Sequence, residues 1–163
     1  MIQRSMEKTV LELAAGFPIV AITGPRQSGK TTLSQLAFNK KPYVSLELPQ
    51  ELQWAQDDPI GFLDRFPDGA ILDEIQLCPE LFSHLQVRVD QARIMGQYII
   101  TGSQQFTLNA KISQSLAGRV ASVSLLPFSL NELQQGPTGQ FFTHEPGQLD
   151  HLLWQGFYPP IYD

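Results

Sequence analysis

A segment near the N-terminus, residues 24–31, carries residue types that bind the phosphate groups of a nucleotide. It reads Gly-Pro-Arg-Gln-Ser-Gly-Lys-Thr and fits the pattern G-x-x-x-x-G-K-[ST]. Gly24 and Gly29 allow the backbone to curl, so that successive N–H groups point at phosphate oxygens. Lys30 supplies a positive charge for the β- and γ-phosphates, and the Thr31 hydroxyl is a ligand for Mg²⁺. The segment therefore predicts a site for a nucleoside triphosphate, in the first place ATP with Mg²⁺.

The remaining residues of this loop are also expected to contact the nucleotide. Thr32 is expected near the α-phosphate, whereas the tasks of Arg26 and Gln27 do not follow from their residue types. An apolar run before the loop and a helical pattern after it favour this interpretation over a glycine turn beside a chance lysine. The predicted nucleotide-binding residues are Gly24, Pro25, Arg26, Gln27, Ser28, Gly29, Lys30, Thr31 and Thr32.

Two adjacent carboxylates, Asp73 and Glu74, follow an apolar run further along the chain. Asp73 is the predicted partner of Mg²⁺, directly or through water, together with Thr31. Adjacent residues of a strand point to opposite faces, so Glu74 should have a different task. We expect it to orient and deprotonate the attacking water as a general base. The alternative is a solvated strand end that carries two acids.

Two further polar elements accompany the later apolar runs. Ser103 and Gln104 follow one of them, where a hydroxyl or amide could hold the attacking water or sense the γ-phosphate, although a plain turn explains them equally well. Arg119 precedes the last apolar run. Its guanidinium could reach the γ-phosphate of a neighbouring subunit and stabilise charge on the transferring oxygens. A surface salt bridge explains this arginine equally well from its spacing.

The elements that must position these residues alternate between strand and helix patterns, which predicts an α/β fold. Continuous apolar runs are typical of strands buried on both faces of a parallel sheet, here at 19–23, 43–48, 70–73, 98–101 and 120–125. Helices are expected over 6–15 with Ser5 as the cap, after Pro79, over 105–116 and over 128–134. Ligands of parallel sheets bind beyond the carboxyl ends of the strands, so the polar residues should meet at that edge.

Composition restricts the class of protein. A net charge of −5 argues against broad electrostatic binding to nucleic acid. Cys78 is the single cysteine, the first residues lack the apolar core of a secretory signal, and no apolar run could span a bilayer, which predicts a cytoplasmic protein without a membrane segment. From residue 136 the composition shifts towards Gly, Pro, Thr and Gln. This shift predicts an ATPase core over 1–135 and, over 136–163, a linker and the start of an absent C-terminal region.

Together these elements resemble the AAA+-like P-loop ATPases of prokaryotes in which a Gly-Pro-Arg-Gln-x-Gly-Lys-Thr-Thr loop precedes a C-terminal domain of unclear role. The resemblance continues in collinear order through residues 72–76, 100–103, 115–119 and 126–133. It implies a three-layer P-loop NTPase fold with about five mainly parallel strands of AAA+ type, and ATP hydrolysis coupled to a conformational or oligomeric switch. It further implies that Glu74 is the catalytic base, that Ser103 or Gln104 is the sensor, and that Arg119 acts in trans in a homo-oligomer.

Two other functions fit the same loop. Members of this family look longer than the present chain, and a chain without their C-terminal lid would be a nucleotide-dependent binding module with negligible turnover. A small-molecule kinase would need an arginine-rich lid, for which the sequence offers the separate Arg65, Arg88 and Arg93. The preference for ATP over GTP, and the process that hydrolysis drives, do not follow from the sequence.

Overall fold

The computed structural model describes residues 2–103, 116–135 and 148–162 of the chain. Its strands are β1 (Ile19–Thr23), β2 (Tyr43–Ser45), β3 (Ile71–Asp73), β4 (Tyr98–Gly102) and β5 (Val120–Ser124). They form one five-stranded sheet in the order β2-β3-β4-β1-β5, and every neighbouring pair is parallel. The predicted parallel α/β sheet is confirmed. β1 lies between β4 and β5, so the loop that leaves β1 emerges beside the carboxyl ends of both strands.

Helices cover both faces of this sheet. They are α1 (Met6–Gly16), α2 (Lys30–Ala37), α3 (Pro49–Asp57), α4 (Pro59–Asp64), α5 (Leu81–Ala92), α6 (Leu130–Gln135) and α7 (Gln148–Gln155), with one-turn 3₁₀ helices at Ile75–Leu77 and Pro159–Ile161. Alternation along β1 separates two cores: Ile19 and Ala21 pack in the cluster that includes α5, whereas Val20 and Ile22 pack with α1 and α2. The sheet is therefore the middle of three layers. None of the helices in the described residues is long and apolar enough to cross a membrane.

Several predicted boundaries differ from the observed ones for local reasons. β2 ends at Ser45 because the Leu48 N–H bonds to the Ser45 carbonyl and closes a turn before Pro49, which starts α3. Ser5 stands before α1 as predicted, but its side chain makes no capping bond. Its backbone N–H instead donates to the carboxylate of Glu132, 2.8 Å away. α5 begins at Leu81, after Pro79, and the helix predicted over 105–116 lies almost entirely outside the described residues.

A buried carboxylate, Glu132, joins the N-terminal segment to the region after β5. Arg4 Nε lies 3.1 Å from its Oε1, and both side chains are largely shielded from solvent. Ser129 donates its N–H to Oε2 at 2.8 Å, while the Ser129 hydroxyl accepts the Glu132 N–H at 3.2 Å. This reciprocal pair is a capping box that starts α6. Arg4 also donates to the Ser28 carbonyl at 2.7 Å, so the same network reaches the loop after β1.

Loss of this carboxylate is expected to destabilise the fold. Burial raises the pKa of Glu132, but N–H groups of Ser129 and Ser5 and the charge of Arg4 outweigh it, so the pKa lies below its ordinary 4.5. Because folding lowers the pKa of this carboxyl group, its ionised form stabilises the folded state at pH values above the ordinary pKa. This stability is lost as the pH falls through the folded-state pKa. We expect Glu132→Gln to lower the free energy of unfolding by about 1–3 kcal/mol at neutral pH, because Arg4 keeps no counter-charge.

Urea unfolding at neutral pH and below pH 4.5 measures this effect. The difference between the wild-type protein and Glu132→Gln should shrink in acid. Glu12→Gln is the matched control, because Glu12 pairs with Lys8 at 3.7 Å on the exposed face of α1. An exposed pair of this kind contributes about 0–1 kcal/mol. Equal stability of the two variants at neutral pH would contradict the role assigned to Glu132.

Candidate functional site

The loop between β1 and α2 has the backbone that the sequence pattern predicts. Gly24 has a φ of 148° and Gly29 a φ of 90°, values that side-chain-bearing residues rarely adopt. A Cβ atom at Gly24 would lie 2.1 Å from the Leu125 carbonyl oxygen, so the loop also needs the missing side chain for space. Lys30 starts α2 directly after this turn. The N-terminus of α2 therefore faces the carboxyl edge of the sheet, where its free N–H groups favour an anion.

Lys30 is a buried cation, and no carboxylate of the described residues lies within ion-pair distance of its ammonium. The loop covers its side chain, and the residue is 5% exposed. Among the described residues its ammonium bonds to the Pro25 carbonyl, at 2.8 Å. Burial lowers the pKa of Lys30, the charges of Glu74 and Asp73 oppose that shift, and Arg26 adds to it. A phosphate group would supply the negative charge that this buried ammonium favours.

Asp73, at the end of β3, is brought next to Thr31 as the sequence predicts. The Thr31 hydroxyl lies 3.1 Å from both carboxylate oxygens. Asp73 is 5% exposed, and its bonds to Thr31 hold the carboxylate beside the loop. A hydroxyl and a carboxylate oxygen are the hard ligands that Mg²⁺ prefers, and the pair fits this ion.

Two further hydroxyls, which no sequence pattern predicted, also bond to Asp73. Tyr43 donates to Oδ2 at 2.8 Å, and Thr101 donates to Oδ1. Parallel pairing aligns Ser45 of β2 with Asp73, so Tyr43, two residues earlier, shares that face. Burial and the hydrogen bond to Asp73 raise the pKa of Tyr43 to about 12, so its hydroxyl stays a donor at neutral pH. Only the order of the strands brings these two side chains to the carboxylate, which is why no local pattern signals them.

Glu74 lies just beyond β3, in a left-handed backbone conformation with φ 55° and ψ 46°. For a residue other than glycine this conformation costs about 1–2 kcal/mol. The alternation expected for adjacent strand residues does not apply, because the chain leaves the strand after Asp73 and turns into the 3₁₀ helix Ile75–Leu77. The two carboxylates have different hydrogen-bond partners in the described residues. Glu74 bonds to Ser103, whose hydroxyl donates to Oε2 at 2.9 Å.

A pocket of about 580 Å³ lies over the loop, within the size range of small-molecule sites. Residues of the loop, two nearby carboxylates and two prolines line it: Arg26, Gln27, Gly29, Lys30, Thr31, Thr32, Glu47, Glu74, Pro159 and Pro160. Arg26 and Glu47 form an ion pair of 3.3 Å at its mouth, with side chains 80% and 55% exposed. Such a pair is weak and leaves Arg26 available to an anion. The prolines belong to a segment after α7 that was not predicted to approach the site.

Arg119 lies at the opposite edge of the sheet. Its carbonyl accepts the N–H of Ile19, at the start of β1, whereas the phosphate loop leaves the end of that strand. A strand of this length spans about 16 Å, so Arg119 does not reach the loop of its own chain. It forms a two-pronged ion pair with Asp90, with distances of 2.6 and 2.8 Å. Gln104, the alternative to Ser103, lies outside the described residues.

Comparison of the sequence with known families and proteins finds one family model and two similar proteins. The model of a family described as AAA domain matches residues 16–134. Uncharacterized proteins of Mycobacterium bovis and Mycobacterium tuberculosis are each 35% identical to the chain over 117 residues. The aligned part is 71% of this chain but 26% of each mycobacterial protein, so the chain spans about a quarter of the length of these curated relatives.

The fold resembles those of solved proteins at low sequence identity. A Walker-type ATPase of Pyrococcus abyssi aligns with 99% of this chain and 65% of its own, with a TM-score of 0.62 and 18% identity. AMPPCP-bound DnaA from Aquifex aeolicus aligns with 96% of this chain and 56% of its own, with a TM-score of 0.59 and 17% identity. Likeness at these identities concerns the fold alone, and it confirms the predicted three-layer fold of a P-loop NTPase.

Proposed function

The chain belongs to the AAA domain family, and from this premise we propose that it binds ATP with Mg²⁺ and hydrolyses it to ADP and phosphate. The observation that carries the proposal is that Lys30, Thr31 and Glu74 line one pocket, while the Thr31 hydroxyl bonds to the carboxylate of Asp73. These are the groups that phosphoryl transfer to water requires, namely a cation for the phosphates, a metal-binding oxygen pair and a base.

The binding step depends on the loop and Lys30. Backbone N–H groups between Gly24 and Thr31 would bind phosphate oxygens, and Lys30 would exchange its bond to the Pro25 carbonyl for the β- and γ-phosphates. Thr31 and Asp73 would hold Mg²⁺, which when bound supplies charge neutralisation at the phosphate oxygens. The hydroxyls of Tyr43 and Thr101 support Asp73 by fixing the direction of its carboxylate.

The hydrolytic step depends on Glu74. Its carboxylate would take a proton from a water molecule, the water oxygen would bond to the γ-phosphorus, and the bond from that phosphorus to the ADP oxygen would break. Ser103 keeps the carboxylate in place through its hydroxyl. A positioned base of this kind contributes about 10²–10⁴-fold to a rate. Loss of the Glu74 carboxylate is therefore expected to slow turnover by a factor of this order.

We test the whole proposal by calorimetry with Mg-ATP followed by phosphate-release assays over a range of protein concentrations. Saturable binding with phosphate release would support an ATPase. Saturable binding without release at every concentration would instead identify a nucleotide-dependent binding module. Phosphate transfer to an added small molecule would point to a kinase. A folded protein that gives no saturable heat would contradict nucleotide binding itself.

Arg119 is proposed to act on the nucleotide of a neighbouring copy of the chain. Its distance from its own loop supports action in trans, and its side chain, paired with Asp90, remains 32% exposed. We expect turnover per chain to rise with protein concentration. Arg119→Ala should lower turnover on the order of 100-fold, because the transition state loses a charged donor.

A mixture of two inactive variants separates action in trans from a structural effect. Arg119→Ala keeps a complete phosphate site, and Lys30→Ala keeps the arginine. If Lys30→Ala supplies its Arg119 to the intact phosphate site of the Arg119→Ala chain, the mixture should release phosphate faster than either variant alone. Arg93→Ala is the control, because Arg93 directly follows the helix that contains Asp90 and no part in ATP hydrolysis is assigned to it. Turnover that neither depends on concentration nor recovers on mixing would contradict a homo-oligomeric site.

We also propose a location and a division of the chain. The single cysteine, Cys78, is buried and supports a cytoplasmic protein. The core is proposed to comprise residues 1–135, with 136–163 as the link to a further region. Part of that link is held on the core, because Phe157 and Tyr162 pack against a cluster that includes Phe128.

A further inference from the structure

The Glu74 carboxylate is anchored through one of its two oxygens. Oε2 accepts the side-chain N–H of Gln76, the hydroxyl of Ser103 at 2.9 Å and the N–H of Ser103 at 3.3 Å. The described residues donate no hydrogen bond to Oε1. The part of the chain that the structure describes thus fixes the carboxylate at one end and leaves its other oxygen available to a proton.

Gln76 bonds to Glu74 through its amide nitrogen but leaves its amide oxygen unsatisfied within the described residues. Its Oε1 is buried and has no hydrogen-bond partner within the described residues. Flipping the amide would exchange its two ends. Oε1 would then face the Glu74 carboxylate, and the N–H donor to that carboxylate would be lost. Buried polar atoms are normally satisfied, so an exception of this kind needs an explanation. The bond to Glu74 provides one.

The backbone brings Gln76 back to a residue only two positions earlier. Glu74 adopts the left-handed conformation, and the chain then enters the 3₁₀ helix Ile75–Leu77. Ile75 is fully buried and fixes this turn in the core, while the Leu77 N–H bonds to the Glu74 carbonyl at 3.0 Å. The strained backbone and the unsatisfied amide oxygen thus belong to one short segment. Both serve the same contact.

We propose that Gln76 is a positioning residue for ATP hydrolysis, which holds Oε2 of Glu74 so that Oε1 is the atom that takes the proton from the attacking water. This inference rests on the proposed role of Glu74 as the base. In the step, an O–H bond of water breaks, its proton goes to Oε1, the oxygen bonds to the γ-phosphorus, and the ADP oxygen leaves. Gln76 touches neither water nor nucleotide and acts through Glu74.

The test is Gln76→Met, which keeps the length of the side chain but removes both amide groups. Rates are measured with protein in excess over labelled ATP, so that slow hydrolysis is still counted. We expect the rate constant to fall about tenfold or more, as for a displaced catalytic group. The Kd for Mg-ATP should change less than about twofold, since Gln76 does not line the pocket. The urea midpoint should stay at or above the wild-type value, because the variant has no buried unsatisfied oxygen.

Two comparisons make the outcome decisive. Gln53→Met removes an equivalent glutamine–carboxylate bond, that of Gln53 to Asp57 at 2.9 Å on the exposed side of α3, and should leave the rate unchanged. Adding Gln76→Met to Glu74→Gln should slow the residual rate no further, because the carboxylate is already gone.

A wild-type rate for Gln76→Met would overturn the inference. So would a slow rate accompanied by a lower urea midpoint and weaker ATP binding, since that pattern belongs to a merely structural residue. An additional loss in the Glu74→Gln background would overturn it as well, because Gln76 would then act independently of Glu74. Wild-type turnover by Glu74→Gln alone would remove the proposed base, and with it both the hydrolytic role of Glu74 and the role of Gln76.

Discussion

Lys30→Ala is expected to abolish binding of Mg-ATP that calorimetry can detect. The ammonium of Lys30 is enclosed by the loop, and burial lowers its pKa. In the absence of an anion, the charged form of the side chain is therefore destabilised. A triphosphate would offset that cost, and loss of the lysine leaves phosphate oxygens facing Asp73 and Glu74 without a counter-charge. Each tenfold loss of affinity corresponds to about 1.4 kcal/mol, and a loss of about 10³-fold is expected from a buried cation–phosphate contact.

Two companion variants show whether the loss is specific. Lys41→Ala is the matched control, because Lys41 also bonds to backbone carbonyls, those of Asp68 and Gln97, and burial lowers its pKa too. Lys41 precedes β2 at the opposite edge of the sheet, so ATP binding should persist in this variant. Lys30→Met tests folding: it removes a charge that the folded state disfavours and should unfold at the same or a higher urea concentration without nucleotide. Saturable heat of wild-type size from Lys30→Ala would refute the phosphate site.

Glu74→Gln is expected to bind Mg-ATP with wild-type affinity and to lose turnover by about 10³-fold. Glutamine has the size of glutamate and can still accept a hydrogen bond from Ser103 through its amide oxygen. An amide oxygen, however, does not take a proton from water at neutral pH. The expected result is therefore a large change in rate constant with little change in Kd, which identifies a group that acts in the transition state.

Binding is measured by calorimetry and turnover by phosphate release under single-turnover conditions. Glu80→Gln is the control, because Glu80 lies in the same segment of the chain but contacts Cys78 rather than the pocket. It should hydrolyse ATP at the wild-type rate. If Glu74→Gln binds tightly and releases phosphate as fast as the wild-type protein, the general base is not Glu74.

Local sequence was sufficient for the phosphate loop and the sheet. The glycines, the lysine and the hydroxyl of the loop are contiguous, and β1 occupies residues 19–23 as its apolar run predicts. These features depend on backbone conformation and burial over a few residues, which residue types report directly. Predicting these features requires no knowledge of contacts between residues far apart in sequence. Even so, the capping box that starts α6 was readable from the Ser-x-x-Glu spacing at 129–132 and was not assigned.

The boundaries near the site already depended on tertiary contacts. Glu74 was expected to continue a strand, but the chain turns there because Thr101 of β4 binds its N–H and the buried Ile75 holds the 3₁₀ helix. β2 is shorter than its apolar run because that run continues into the turn before α3. The roles of Glu74, Ser103 and Arg119 remain predictions, although the structure brings the first two together and separates the third from its own loop.

The sequence by itself determined the chemistry available to the protein, since the loop and the acids are defined by residues adjacent in the chain. Only the tertiary structure decided how each group is held. Tyr43 and Thr101 reach Asp73 through the strand order, Arg4 reaches the loop from the N-terminus, and the prolines near residue 160 reach the pocket from the other end. Such contacts arise from packing between segments far apart in sequence. No local pattern encodes them, because their partners are selected by the fold as a whole.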